Sequence, residues 1–338
     1  VKILVHQQVM VMEADPPYDV VTMFPGLHSC SFAHAAWILA NWGQERQMER
    51  APIRYAERGD TVAVIRDMGL GDVLMVTPTI RAFAERGCIV HAWTLPRYAA
   101  LFDHNPHVAE VHTVDGRMSA VACELDFDLN LCEAVERHPD AGQRNRTQFF
   151  ADLGEVTLSS RRPAYFATPE EIAAAEERWG PARPRIACVA RTYAKGERSW
   201  PFMEEFANSV GGDGANVACL GGTSEECFSS PCVRNLGGIG LRETIAVLAT
   251  ADVCVTPDTG LLYAAVAVGC PVLAIFGCWP PFTRVEGYDR VRTLDANAIL
   301  GRGYCCDHSW CDGSQMRAVT VPMARAEVER TLAEGVNR

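Results

Sequence analysis

From residue 61 onward, short β-branched runs alternate with longer helical stretches, and this alternation dictates parallel sheets assembled from βαβ units. Residues 61–66 read as a buried strand, 73–86 as a helix and 89–94 as the next strand. A short helix near 97–101 and strands at 108–114 and 127–131 complete one doubly wound series. The chain then turns polar and proline-rich over 161–169, passes through a Glu- and Ala-rich helix at 169–179, and reaches Pro181 and Pro184. Such punctuation marks a domain boundary. In a second series, strands at 185–190, 216–220, 253–256 and 271–276 alternate with helices at 202–210, 241–250 and 260–268, and an amphipathic helix follows at 324–334. The expected fold class is α/β, with Rossmann-like domains over 61–165 and 166–320 and a C-terminal helix over 321–338.

Residues 1–60 stand outside this scheme as an α+β extension. Residues 1–12 read as a hairpin or edge strand, and 31–50, with Trp37 and Trp42, as an amphipathic helix. The extension is expected to add a layer to the N-terminal domain or to form a homo-oligomer contact, in preference to docking an acceptor.

A chain of 338 residues exceeds one ordinary core, and its 48% hydrophobic against 22% charged residues can fill two. The longest apolar stretch, 266–276, is broken by Gly269 and Pro271. It falls short of the roughly 20 residues that cross a bilayer, so no transmembrane segment is expected. Residues 1–13 lack the basic region, apolar core and cleavage site of a secretory signal, which points to the cytoplasm. The 14 cysteines are scattered through a large chain and are expected to be mostly reduced and buried. With 31 basic against 42 acidic residues the net charge is −11, which disfavours a nucleic-acid partner, because phosphate neutralisation supplies most of that affinity.

Two turns carry the chemistry. Met68-Gly69-Leu70-Gly71-Asp72 lies between the first strand and a helix, where glycines allow close backbone approach and a helix start offers N–H groups to an anion. Asp72 reads either as a functional carboxylate or as a helix cap. Thr256-Pro257-Asp258-Thr259-Gly260 ends a strand and opens a helix at the carboxyl edge of a parallel sheet, where ligands bind. There Asp258 reads as a cap or as a grip on sugar hydroxyls, and Thr259 with Gly260 as donors to a diphosphate.

These turns, together with Thr77-Pro78-Thr79-Ile80-Arg81 and Arg198-Ser199-Trp200-Pro201, resemble glycosyltransferase family 9, the ADP-heptose lipopolysaccharide heptosyltransferases and their relatives. The resemblance runs from about residue 61 to the final helix. It implies a GT-B architecture, two Rossmann-like domains facing a cleft, and an inverting, metal-independent transfer of heptose from ADP-heptose to an acceptor hydroxyl on a glycan or protein. Asp72 matches the family's catalytic base. Arg198, with Lys195 as its rival, would stabilise charge on the departing diphosphate. Gly71, Gly221, Gly222, Asp258, Thr259 and Gly260 would bind the donor, with Glu225 or Glu226 on the ribose. Two positions depart from the family pattern: Tyr263 stands where a histidine is usual, and Arg198 where a lysine is usual, a change of shape as well as of residue.

Cys305, Cys306, His308 and Cys311, with Cys278 upstream, form a cluster whose chemistry suits Zn or Fe. The spacing is not that of paired Cys-x-x-Cys motifs, and a reduced, metal-free loop is the default reading. The resemblance adds that relatives modifying bacterial autotransporter proteins carry a cysteine-bound iron in this stretch. Outside transferases, a GT-B nucleotide-sugar epimerase and a catalytically inactive sugar-nucleotide-binding or assembly protein are the competing readings.

Overall fold

The computed structural model describes residues 56–114, 125–132, 142–191, 198–223, 227–304 and 312–336, together with the backbone of five N-terminal strands. The chain divides into two compact units, Val1–Ser159 and Ser160–Arg338.

The N-terminal strands are β1 (Lys2–Val5), β2 (Val9–Met12), β3 (Val20–Met23), β4 (Gly26–Ser29) and β5 (Met48–Arg50). β1 pairs antiparallel with β4 and β5, and β2 pairs antiparallel with β3. The expected hairpin within residues 1–12 is therefore not formed, because each of its strands pairs further along the chain. Met48–Arg50, the last residues of the expected helix at 31–50, are a strand instead; residues 31–47, with Trp37 and Trp42, lie outside the described residues.

The main sheet of the first unit contains β6 (Thr61–Ile65), β7 (Ile89–Thr94), β8 (Glu110–Thr113) and β9 (Phe127–Asn130), all parallel, in the order β8-β7-β6-β9. Between β6 and β7 the expected single helix is two, α1 (Leu70–Met75) and α2 (Thr77–Arg86). Pro78 explains the break: it has no N–H to give the Leu74 carbonyl, and the Thr77 hydroxyl donates to that carbonyl instead, at 2.7 Å. A further helix, α3 (Arg146–Leu153), is capped by Asn145, whose side chain accepts from the Gln148 N–H at 3.1 Å. Phe83 of α2 and Phe127 of β9 meet with ring centroids 5.9 Å apart, and Phe149 and Phe150 of α3 are buried in the same unit.

The second unit opens with α4 (Pro169–Trp179). Thr168 and Glu171 form a reciprocal capping box at its start, with Pro169 in the first turn. Then follow β10 (Arg185–Val189), α5 (Met203–Gly212), β11 (Asn216–Leu220), β12 (Val233–Asn235), α6 (Leu241–Ala249), β13 (Val253–Pro257), α7 (Gly260–Ala267), β14 (Val272–Phe276), α8 (Phe282–Val285), β15 (Val291–Asp295), α9 (Ala296–Leu300) and α10 (Val321–Val336). The strands form one parallel sheet in the order β12-β11-β10-β13-β14-β15. Every residue of β10, β11, β13 and β14 is buried, as expected for a parallel sheet covered on both faces. Ile186, Cys188, Val217, Cys219, Val253, Val255, Leu273 and Ile275 pack in one cluster with Trp200, Phe206, Met316 and Val328. Both main sheets belong to doubly wound α/β units of Rossmann type. Among the described residues, no helix is long and apolar enough to cross a membrane. All nine described cysteines are free thiols, and seven are buried.

Candidate active site

In an open parallel sheet, ligands bind beyond the carboxyl ends of two adjacent strands whose outgoing connections diverge. In the first unit that point lies between β6 and β9, because the chain leaves β6 toward β7 and returns only later to the other side. Arg66, the first residue past β6, spans it: its Nη1 donates to the Leu131 carbonyl, just past β9, at 2.6 Å. Its Nη2 donates to Asp72 Oδ1 at 3.0 Å, and its guanidinium carbon lies 5.1 Å from the Phe150 ring centroid. The same Asp72 oxygen accepts from Arg146 Nη1 at 2.6 Å, and Arg146 is positioned as the first residue of the Asn145-capped α3.

Asp72 is not a helix cap. It is the third residue of α1, whose N-cap is Gly69 and receives no side-chain cap bond. Arg66 is 1% exposed and Asp72 16% exposed, so a carboxylate with limited solvent access is held by a buried cation behind it and a second cation beside it. This arrangement fixes the orientation of the Asp72 carboxylate. Gly71 precedes Asp72 inside the first turn of α1 and is buried.

In the second unit the divergence lies between β10 and β13. Asp258, immediately past β13, is 6% exposed and is surrounded by three side chains. Arg198 Nη1 donates to Oδ2 at 3.4 Å, the Tyr263 hydroxyl donates to Oδ1 at 3.3 Å, and Arg284 Nε lies 3.8 Å from Oδ2. Capping of α7 falls to Thr259, whose hydroxyl oxygen accepts from the Leu261 N–H at 3.1 Å, so Asp258 is not a cap here either. Gly260 is the first residue of α7, where no Cβ obstructs approach to the helix start.

Two residues after Arg198, Trp200 is buried against Phe206 and donates its Nε1–H to the Val319 carbonyl at 2.8 Å. Arg284 reaches the site from α8 with its guanidinium 4.1 Å from the Trp279 ring centroid. A cavity of about 200 Å³ opens past the carboxyl end of β10, lined by Ala190, Arg191, the Ser199–Pro201 segment, Cys227 and Phe228 among others. Gly221 and Gly222 follow β11, and the Gly221 carbonyl accepts from the Gly238 N–H at 3.2 Å.

The structure thus brings Arg198, Asp258 and Tyr263 together and seats Thr259 and Gly260 beside them. Lys195, Glu225 and Glu226 lie outside the described residues. So do Cys305, Cys306, His308 and Cys311; Cys278 is buried beneath Trp279 and takes an Nε2–H from Gln315 at 3.7 Å. Sequence reasoning missed Arg66, Arg146 and Arg284. Only Arg66 had a local signal, a charged residue closing an apolar strand six positions before Asp72.

A family model described as glycosyltransferase family 9 (heptosyltransferase) matches residues 81–293. The match includes the Asp258 site and begins downstream of Asp72. No curated protein matches significantly. Among solved structures, a glycosyl transferase family 9 protein from Veillonella parvula DSM 2008 superposes with a TM-score of 0.66 at 16% identity, covering 83% of this chain and 99% of that one. The ADP-heptose lps heptosyltransferase II of E. coli gives 0.64 at 15% identity, covering 82% and 99%. The dodecameric iron-containing heptosyltransferase TibC, in complex with ADP-D-beta-D-heptose, gives 0.63 at 14% identity, covering 98% and 93%. At these identities the solved structures speak for the fold, which is that of the GT-B heptosyltransferases. With well over half of its length matched by the family model, the chain belongs to glycosyltransferase family 9.

Proposed function

We propose that this glycosyltransferase transfers heptose from ADP-heptose to a hydroxyl of a glycan or protein acceptor, with inversion at the anomeric carbon. Asp72 takes the proton from the acceptor hydroxyl as its oxygen attacks that carbon. The bond from the anomeric carbon to the diphosphate oxygen breaks, and ADP leaves with the electron pair. Arg198 balances the developing negative charge, aided by Arg284. Asp258 holds both guanidiniums and accepts hydrogen bonds from the sugar, while the α7 start at Thr259 and Gly260 meets the phosphates. Lys195 is the alternative cation, and Glu225 or Glu226 with Gly221 and Gly222 form the nucleoside end of the donor site.

The observation that carries this reading is the pairing of Asp72 with Arg66 and Arg146 at the divergence of β6 and β9. It is supported by family membership and by the ADP-heptose named for the E. coli and TibC structures. With arginines to supply the positive charge, the proposed transfer step uses no metal, and EDTA is expected to leave kcat unchanged. Cys278, Cys305, Cys306, His308 and Cys311 are the residues that would hold a structural Fe or Zn, a reduced, metal-free loop being the default, and metal analysis of the purified protein decides between the two.

The deciding experiment follows ADP-heptose with wild type and Asp72→Asn, in the presence and absence of saccharide and protein acceptors. Acceptor-dependent ADP release that is lost in the variant is expected. An isomerised donor without acceptor identifies an epimerase, and donor-induced thermal stabilisation without turnover identifies a binding protein; either overturns the proposal. A donor at a hundred times its Kd stabilises by about 2.7 kcal/mol, so binding alone is readily detected.

A further inference from the structure

The first unit carries a second cluster of chemically active side chains that sugar transfer does not use. Along β7, Val90, Ala92 and Thr94 are buried, while the alternate residues His91 and Trp93 are half-buried on the other face. β8 runs parallel to β7 with His91 opposite Glu110 and Trp93 opposite His112. Pairing in this register puts four side chains on one face, with His91 and His112 as diagonal neighbours.

His91 Nδ1 and His112 Nε2 are 3.0 Å apart. Glu110 reaches both, with Oε2 3.8 Å from His91 Nδ1 and Oε1 3.6 Å from His112 Nε2. One ligand atom from each of the three residues lies within 4.8 Å of the others. The rings are restrained: His112 stacks on Trp93 at 4.4 Å and 14°, and on His91 at 5.1 Å and 21°. The histidine side chains are 17% and 26% exposed and that of Glu110 59%, which leaves the cluster open to solvent on the carboxylate side.

We propose that His91, Glu110 and His112 bind a divalent transition-metal ion of the Zn2+ type across β7 and β8. Zn–N and Zn–O bonds of roughly 2.0–2.2 Å place the donor atoms around a tetrahedral ion about 3.4 Å apart. The observed separations of 3.0, 3.6 and 3.8 Å bracket that value. Two imidazoles and a carboxylate are borderline ligands that favour Zn2+, Ni2+ or Cu2+ over the oxygen-seeking Mg2+ and Ca2+. Three protein ligands leave a fourth position for water or another donor. A bound ion ties the edge strand β8 to β7 and stabilises the first unit by mass action. The site contains no cysteine and lies in a different unit from Cys278 and the Cys305–Cys311 stretch. The simpler explanation of the geometry is a hydrogen-bonded histidine pair with a nearby carboxylate.

The test uses the full chain stripped with EDTA and dialysed against Zn2+ alone, with bound metal counted by mass spectrometry. Wild type is expected to hold one equivalent more than the His91→Gln, His112→Gln double variant, whatever the cysteines bind in both. Co2+ substitution adds a signature: the wild-type spectrum minus that of the double variant shows visible d–d absorption without thiolate charge transfer, because anything the cysteines bind cancels. Glu110→Gln, on the exposed edge, guards against misfolding of the double variant. Loss of one of three direct ligands weakens Zn2+ by more than the 10–100-fold typical of an outer-shell partner. Equal stoichiometry and equal Co2+ spectra in wild type and variants overturn the proposal in favour of the hydrogen-bonded pair.

Discussion

Arg66 donates one guanidinium nitrogen to the Asp72 carboxylate at 3.0 Å and the other to the Leu131 carbonyl at 2.6 Å, so one buried side chain joins the carboxyl ends of β6 and β9 to the proposed base. The base is thereby referred to the rigid sheet rather than to the loop before α1. Positioning of this kind separates a catalytic carboxylate from a solvated one, since misplacement by about 1 Å can cost a hundredfold in rate.

Asp72→Asn keeps the shape and removes the proton acceptor, and it is expected to lower kcat by about 10²–10⁴ with little change in donor KM. Arg66→Met is expected to be worse for the fold. It leaves the Leu131 carbonyl without this donor and one partner of a buried ion pair behind, a loss of about 3–5 kcal/mol. Steady-state ADP release and thermal unfolding on the two variants check the contrast. Wild-type turnover by Asp72→Asn removes Asp72 from the mechanism.

Arg198 tests the other half of the reaction. Arg198→Ala is expected to lower kcat by about 10²–10³, the usual cost of removing a donor aimed at developing charge. Arg198→Lys should recover part of that loss, because a point charge returns without the planar fork that bonds Asp258. Single-turnover rates with saturating donor are the measurement. An Arg198→Ala enzyme as fast as wild type would reassign the role to Lys195 or Arg284.

What was legible in the sequence was local. The helix at 169–179, the strand at 216–220 and the Asp258-Thr259-Gly260 turn depend on neighbours within a few residues, and the structure has each where the pattern puts it. Pro78 sits inside a stretch of helical periodicity, and its break shows only when the Leu74 carbonyl is traced to the Thr77 hydroxyl. The partners of the two carboxylates were hidden for a different reason. Arg146 meets Asp72 across 74 positions, and Arg284 approaches Asp258 only because α8 folds back with its guanidinium over Trp279. The edge strands β12 and β15 were missed because the first is three residues long and the second carries no fully buried position.

Trp200, two residues after Arg198, anchors this segment to the core of the second unit through Phe206 and the Val319 carbonyl. Trp200→Phe keeps most of the packing against Phe206 but leaves the Val319 carbonyl without its indole donor, an expected loss of about 1–3 kcal/mol. Trp200→Ala opens a cavity and should cost about 3–5 kcal/mol. Calorimetric melting of the two variants gives the order. If Trp200→Phe retains full stability but loses kcat, the tryptophan acts mainly by placing Arg198.

The buried thiols set an alkaline limit on the fold. Burial pushes the Cys270 thiol from 9.0 up to about 12 against a smaller opposing pull from Arg290, and burial likewise raises Cys188 and Cys254. Above pH ~9 the unfolded chain releases these protons while the folded chain retains them, so ionisation favours unfolding. The thiol contribution is complete below about pH 9 and falls as pH rises toward the folded Cys270 value of about 12. The slope is on the order of 1 kcal/mol per pH unit for each such thiol. Urea unfolding at pH near 8 and near 10 should show the loss. A Cys270→Ala variant should lose less over the same interval, and a variant with the wild-type pH dependence would show that this thiol does not set the slope.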